Sequence, residues 1–501
     1  MSESEDDAPV LSLVKSVSGG AIKYLTTTSF SRGAGFLFTI LLTQSFGAGV
    51  YGLYAFGTSV ISILRNFADL GADMAIVRFV TEFEDDPNQQ GVMVLLSYVN
   101  GVGGGIILAT VLILTGPAIN RLTVDNPQFP AILSVLAIIL VLNNIQEILY
   151  AHFRATDLLN VKLLLNDILF PLLKLLLTAA VVYLGYSILG VIGVIVVAMV
   201  VVLVTGFYLL VQLADITLVI PSSTSTIRKF YNYSLPLTTG NIGSIMSQQS
   251  DILILGLVLN SSAVGIYKVA FLVGGIMALP VSGVAQLFPP IASRLYSSGE
   301  KERLNNLFSI VTRWLFALSL FSGTFIYAYR VEILSLFGEE FGEGALILLF
   351  IIGMQVTSNA TGPSGSLLMM TDHQYIRAAN QWIFGICNIV LTYVLVMEYG
   401  IVGAAIGTFV VNGALSATRM FELWKLEGFF PYSKAFAKPV VAAIVTGVAI
   451  HLVSTTTSGL VGLFFGGVVG VVVFGGAQYI LGLEEEETDL LRSVNKWFYQ
   501  R

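Results

Sequence analysis

The amino-acid sequence predicts an all-α protein that crosses a membrane many times, and three observations carry that reading. The 501 residues are 55% hydrophobic and only 11% charged, with a mean hydropathy of +0.83. An ordinary soluble domain carries charge on about a quarter of its residues. About fourteen separate stretches reach the roughly twenty apolar residues that a helix needs to span a bilayer. Within several of them, polar residues recur at steps of three and four, which places them in one stripe on a helix.

In chain order the stretches run near 28–46, 50–70, 91–115, 130–152, 163–184, 188–212, 235–259, 263–290, 306–329, 343–363, 378–398, 400–424, 436–454 and 458–482. Turns as short as Gly47-Ala48-Gly49, Tyr186-Ser187 and Ser261-Ser262 predict tight helical hairpins. An even number of crossings puts both ends on one side. With the N-terminus inside, Arg78, Arg154, Lys162, Arg228, Lys229, Arg294, Lys301 and Arg377 fall in cytoplasmic segments, and only Arg121 and Arg330 lie outside, as the positive-inside bias requires. The acidic opening, residues 1–19, lacks the basic region and short apolar core of a signal peptide. It reads as a cytoplasmic tail, as does 483–501.

A net charge of -6 and a pI near 5.2 exclude a nucleic-acid binder. Cys387 is the only cysteine, and His152, His373 and His451 have no companion at ligand spacing. Neither a disulfide within the chain nor a metal site is expected, and no cofactor. A Walker phosphate loop, a zincin helix motif and a nucleophile elbow are all missing from the sequence.

The chain repeats itself. Val50-Tyr51-Gly52-Leu53-Tyr54 recurs as Ala263-Val264-Gly265-Ile266-Tyr267, and Ile188-Leu189-Gly190-Val191 as Ile401-Val402-Gly403-Ala404, both displaced by 213 positions. Between them, Thr156-Asp157 with Val161-Lys162 recurs as Thr371-Asp372 with Ile376-Arg377, displaced by 215. Matches in order at a near-constant displacement predict two six-helix bundles, 20–213 and 230–424, joined by a cytoplasmic linker, 214–229. Both bundles enter the membrane from the same side, so the repeats are parallel, with a cavity between them. Residues 425–482 fall outside the duplication and read as an added helical hairpin, its last helix packed through Gly462, Gly466, Gly467 and Gly470.

Charges inside the spans mark the candidate site, because a carboxylate or ammonium in hydrocarbon costs several kcal/mol unless it meets a partner or a wet cavity. In the second bundle's first helix Asn241, Ser244, Gln248 and Asp251 form one stripe. Such a stripe either lines a water-accessible surface or ties two helices together. The corresponding helix of the first bundle carries Arg32 and Thr39, seven apart. The next carries Thr58, Ser62, Arg65 and Asp69, also on one face, where pairing between Arg65 and Asp69 would be structural. The fifth helix places Asp167 and Lys174 two turns apart on either side of Pro171, which should kink it and free a carbonyl. Cations facing a cavity suit a substrate with a phosphate head. Asp251, Asp69 and Glu147 would bind a coupling cation or keep those positive charges paired.

Arg32, Phe46-Gly47 leading to Tyr51-Gly52-Leu53-Tyr54, and Asp69-Leu70-Gly71 with Arg78 together resemble the opening of the polysaccharide flippases in the multidrug/oligosaccharidyl-lipid/polysaccharide exporter superfamily. The run Gln249-Ser250-Asp251-Ile252-Leu253-Ile254-Leu255-Gly256 is similar to that family's seventh helix, and Gly400-Ile401-Val402-Gly403-Ala404-Ala405 to its eleventh-to-twelfth turn. The resemblance implies a V-shaped pair of six-helix lobes, and alternating access that carries a lipid-linked oligosaccharide from the cytoplasmic to the outer leaflet of the cell membrane. It also implies that Arg32 and Asp251 handle the phosphate-sugar head. A proton or sodium ion as coupling partner is left open, and no nucleic acid is expected. Two rival readings stand beside it. A cation-coupled multidrug antiporter of the same superfamily would favour acidic residues over Arg32 and Lys174. A membrane glycosyltransferase or polymerase would need carboxylates on a large outside loop, and the candidates are Glu332, Glu339 and Glu340.

Overall fold

The computed structural model describes residues 8–214, 218–221, 223–457 and 459–482, with the side chains of 8–25, 239–248 and 286 outside the description. Among the described residues every regular element is helical. They run α1 Ala8–Ala68, α2 Ala72–Glu82, α3 Pro87–Leu122, α4 Phe129–Ala155, α5 Leu159–Leu163, a π turn Leu164–Leu169, α6 Phe170–Tyr183, α7 Ile188–Leu213 and α8 Thr224–Val258. There follow α9 Ser261–Gly274, α10 Leu279–Ser297, α11 Lys301–Ala328, α12 Arg330–Ser335, α13 Ala345–Ala360, α14 Ser364–Met370, α15 Gln374–Glu427, α16 Ala437–Thr456 and α17 Gly459–Ile480.

Eleven of these stretches are long and apolar enough to cross a membrane. Lipid allows no unpaired backbone, so a helix is the economical answer to so apolar a sequence. On α7 Ala198, Met199 and Val202 are buried against protein, while Val197, Val200, Val201 and Val204 are exposed. A helix apolar all round, half covered by its neighbours, has its other half for lipid. Thr26–Glu82 and Gln374–Glu427, 57 and 54 residues long, each take in two of the expected crossings. At about 1.5 Å per residue such lengths are more than twice a bilayer core. Each breaks at a glycine in a backbone conformation that other residues avoid, Gly47 at φ 73° and Gly400 at φ 58°. The expected crossing at 235–259 falls on α8, Thr224–Val258, whose side chains at 239–248 lie outside the description.

The chain groups into two compact units, Met1–Val269 with Gln381–Ala404, and Ala270–Asn380 with Ala405–Arg501. The first is centred on buried Ala72, Ile76, Phe79, Met93, Ile148 and Phe230, and on Leu149, Phe153, Leu165 and Val202. The second is centred on Phe288, Ala292, Leu304, Phe308, Leu367 and Leu423. It also contains the terminal pair α16 and α17, where Gly462, Gly466 and Gly470 form the buried face of α17. A β-carbon on Gly466 would collide with the Tyr329 ring.

Within the first unit the repeated motif meets its own copy. A β-carbon on Gly52 would strike the Ser261 carbonyl, and one on Gly265 would strike the Ala48 carbonyl. Gly52 and Gly265 are 213 positions apart, and so are Ala48 and Ser261. The two contacts are thus one contact made twice, backbone against backbone, as small residues four apart permit.

Candidate functional site

Asp251 sits on α8 at 4% exposure. Its Oδ2 accepts from Tyr267 Oη at 2.7 Å, and its Oδ1 accepts from Asn388 Nδ2 at 3.2 Å. The same amide donates to Ser250 Oγ at 3.0 Å, and Tyr267, Asn388 and Thr392 are buried with it. Donors from α9 and α15 thus compensate the desolvation that an isolated carboxylate would suffer. Asn241, Ser244 and Gln248, the rest of the expected stripe, have side chains that lie outside the described residues.

Lys174 on α6 occupies a different corner of this unit. Its ammonium lies 3.6 Å from the centroid of the Phe38 ring, and that ring meets Tyr54 edge-on at 6.2 Å. The aromatic face gives the cation an electrostatic partner without a counter-ion. Arg32, on α1, is exposed.

Asp167 is 7% exposed and accepts from Asn166 Nδ2 at 2.6 Å, while its Oδ2 has no hydrogen-bond partner. It lies in the π turn, where the sequence leads one to expect a kink at Pro171. Proline lacks an N–H and its ring crowds the preceding turn, and here the chain relieves both by widening that turn, with Phe170 N–H reaching Leu165 O.

A third group surrounds a cavity of about 80 Å³ lined by Arg65, Asn66, Asp69, Asp73, Asn144 and Glu147. The expected pairing of Arg65 with Asp69 is not the one formed. Arg65 Nη1 reaches Glu147 Oε1 on α4 at 3.2 Å, because α4 packs against this face of α1. Asp69 instead caps a turn, accepting from the Gly71 N–H at 3.2 Å, and its carbonyl accepts from Asn100 Nδ2 at 3.1 Å. Leu70 and Gly71 both take left-handed conformations, φ 49° and 76°. At Gly71 a β-carbon would also press on Ser234 O at 2.5 Å. That explains the Asp-Leu-Gly sequence as a tight turn seated on α8. Asn144, fully buried, has neither amide atom hydrogen-bonded and faces this cavity.

Of the eight residues singled out by sequence, Arg65 and Asp69 come together around one cavity. Asp251 and Lys174 stand at separate corners. Asn388, Asn144 and Asp73 escaped the sequence reading. Asn388 and Thr392 are four apart in an apolar run, a polar pair on one helix face that the same rule of spacing finds.

These features define a class, the all-helical multi-pass membrane proteins that hold ionisable groups within their spans. Residues 18–295, more than half of the chain, match the family model described as polysaccharide biosynthesis protein. The chain belongs to that family. A relative from Haloferax volcanii, the probable low-salt glycan biosynthesis flippase Agl15, is 28% identical over 254 residues, a match that spans 49% of this chain and 53% of the relative. The chain therefore matches about half the length of that protein. Among solved structures, the lipid II flippase MurJ in an inward closed conformation superposes with a TM-score of 0.73 at 15% identity, covering 91% of this chain and 98% of that one. An inward-facing MATE-family multidrug resistance transporter of the MOP superfamily gives 0.69 at 15% identity, covering 81% and 98%. At such identities the likeness is one of fold.

Proposed function

We propose that the chain is a flippase that moves a lipid-linked oligosaccharide, its sugar carried on polyprenyl or dolichyl phosphate, from the cytoplasmic to the outer leaflet by alternating access, for polysaccharide or glycoprotein glycan assembly. The observation that carries this reading is the set of ionisable side chains inside apolar helices, Lys174 on Phe38 and Arg65 beside Asp69 and Glu147, in a member of a polysaccharide biosynthesis family. A cation kept within the membrane span is costly, and a phosphate head group is the ligand that repays it. The name of the Haloferax volcanii relative, a probable glycan biosynthesis flippase, supports the flippase reading.

In this reading Arg32, Lys174 and Arg65 meet the phosphate. Asp69, Asp167 and Asp251, with Asn241 and Gln248, complete the lining, and a proton or sodium ion at the acidic groups couples the cycle. Bundles 20–213 and 230–424 form the two moving halves, in the cell membrane, with both termini cytoplasmic. The hydrocarbon anchor stays in lipid and so avoids its transfer cost.

The test is a leaflet-resolved flipping assay on the full chain in vesicles with a lipid-linked oligosaccharide, comparing wild type with Arg32→Ala, Lys174→Ala and Asp251→Ala. Wild-type flipping that is lost in well-folded variants supports the reading. Wild-type rates in all three variants remove the site, and no flipping by the wild type removes the function.

A further inference from the structure

Where α2 ends and α8 begins, the first unit has an open groove of about 460 Å³ apart from the residues discussed above. Arg78, Arg228 and Lys229 line it, with Phe79, Asn232 and Tyr233. One carboxylate pairs with two of these three cations. Glu82 accepts from Arg78 Nε at 3.1 Å and from Lys229 Nζ at 2.7 Å. Aromatic rings hold two of the cations in place. The Arg78 guanidinium lies 4.4 Å from the Tyr233 ring centroid, and the Lys229 ammonium 4.3 Å from that of Phe83. Arg228 is exposed and has neither a hydrogen bond nor an ion pair among the described residues. The groove thus has a surplus of positive charge, pre-positioned and with donors unspent. The N-terminal end of α8, whose first turn lies here, adds to the same sign.

We infer that this groove binds the phosphate of an anionic membrane lipid. A phosphate needs converging donors, and Arg228 with Lys229 and Arg78 supplies them. The case for a lipid over a soluble phosphate comes from what lies one or two turns along the same helices. Met74, four residues from Arg78 on α2, also lines the cavity of Arg65 and Asp69, and Leu235, seven residues from Arg228 on α8, shares a helix face with its cation. Both are exposed, at 46% and 44%. Cations at the helix ends with exposed apolar side chains beside them match a charged head group with its acyl chains lying along the protein.

The test is native mass spectrometry of the full chain released from nanodiscs of phosphatidylcholine mixed with phosphatidylglycerol. The wild type is expected to retain phosphatidylglycerol over phosphatidylcholine. Arg228→Gln should lower that retention about five-fold, the effect of one basic residue at a membrane surface, and Arg228→Lys should restore most of it. Arg228 has no described partner to lose, so an unchanged melting temperature should accompany the loss. Equal retention by wild type and Arg228→Gln overturns the site. A third arm titrates inorganic pyrophosphate into wild type in pure phosphatidylcholine nanodiscs. Binding there that depends on Arg228, without any preference for phosphatidylglycerol, overturns the lipid in favour of a soluble phosphate.

Discussion

Residues 38, 54 and 174 and residues 251, 267 and 388 occupy equivalent places in the two repeats, 213 or 214 positions apart, yet they solve opposite problems. In the first, Lys174 rests on the face of Phe38, with Tyr54 against the ring's edge. In the second, the ring is replaced by Asp251, and Tyr267 and Asn388 both turn their donors onto the carboxylate. A carboxylate withdrawn from water demands specific donors at fixed distances. An ammonium over a ring needs only a face, and keeps its N–H bonds for something else. The second corner therefore holds its charge in fixed hydrogen bonds, whereas the first leaves the N–H bonds of its cation uncommitted.

That contrast is open to attack by mutation, beginning where the effect should be largest. Asn388→Ala removes a donor from both Asp251 and Ser250, and should cost about 1–3 kcal/mol, read as a fall in melting temperature of the purified protein. Tyr267→Phe should cost about 1–2 kcal/mol in the same measurement, and the double variant should show less than the sum, since both act on one carboxylate. Lys174→Met should lower stability by only about 0.5–2 kcal/mol while abolishing flipping in the vesicle assay. Stability loss at Lys174 as large as at Asn388 would make the two corners equivalent. Smallest should be Arg65→Gln, about 0–1 kcal/mol in melting, because its pair with Glu147 is more than a third exposed.

Much of this was legible beforehand. The helices follow from hydropathy, which acts locally, whereas the turn at Asp69-Leu70-Gly71 falls at the end of an expected crossing and was not foreseen. Partner choice is less local. The spacing of Arg65 and Asp69 allows an i,i+4 pair, but α4 brings Glu147 closer, and nothing in one helix announces its neighbour's register. The same holds for Asn388, which is 137 positions from Asp251. Pro171 announces a disturbance, while the choice of a π turn over a kink depends on packing around Asp167. Gly47 and Gly400, read as turns between crossings, are the non-helical residues at which two helices meet.

The reciprocal contact of Gly52 with Ser261 and of Gly265 with Ala48 has an evolutionary corollary. Near an internal axis of symmetry a substitution confronts the other copy of the same ancestral segment, so a bulkier residue at 52 cannot be relieved by shrinking 265. Relief has to come from displacing the main chain at 261, which at once disturbs the mirror contact at 48. Drift in either half is thereby policed by the other, and this crossing should be the slowest-changing part of the duplicated sequence.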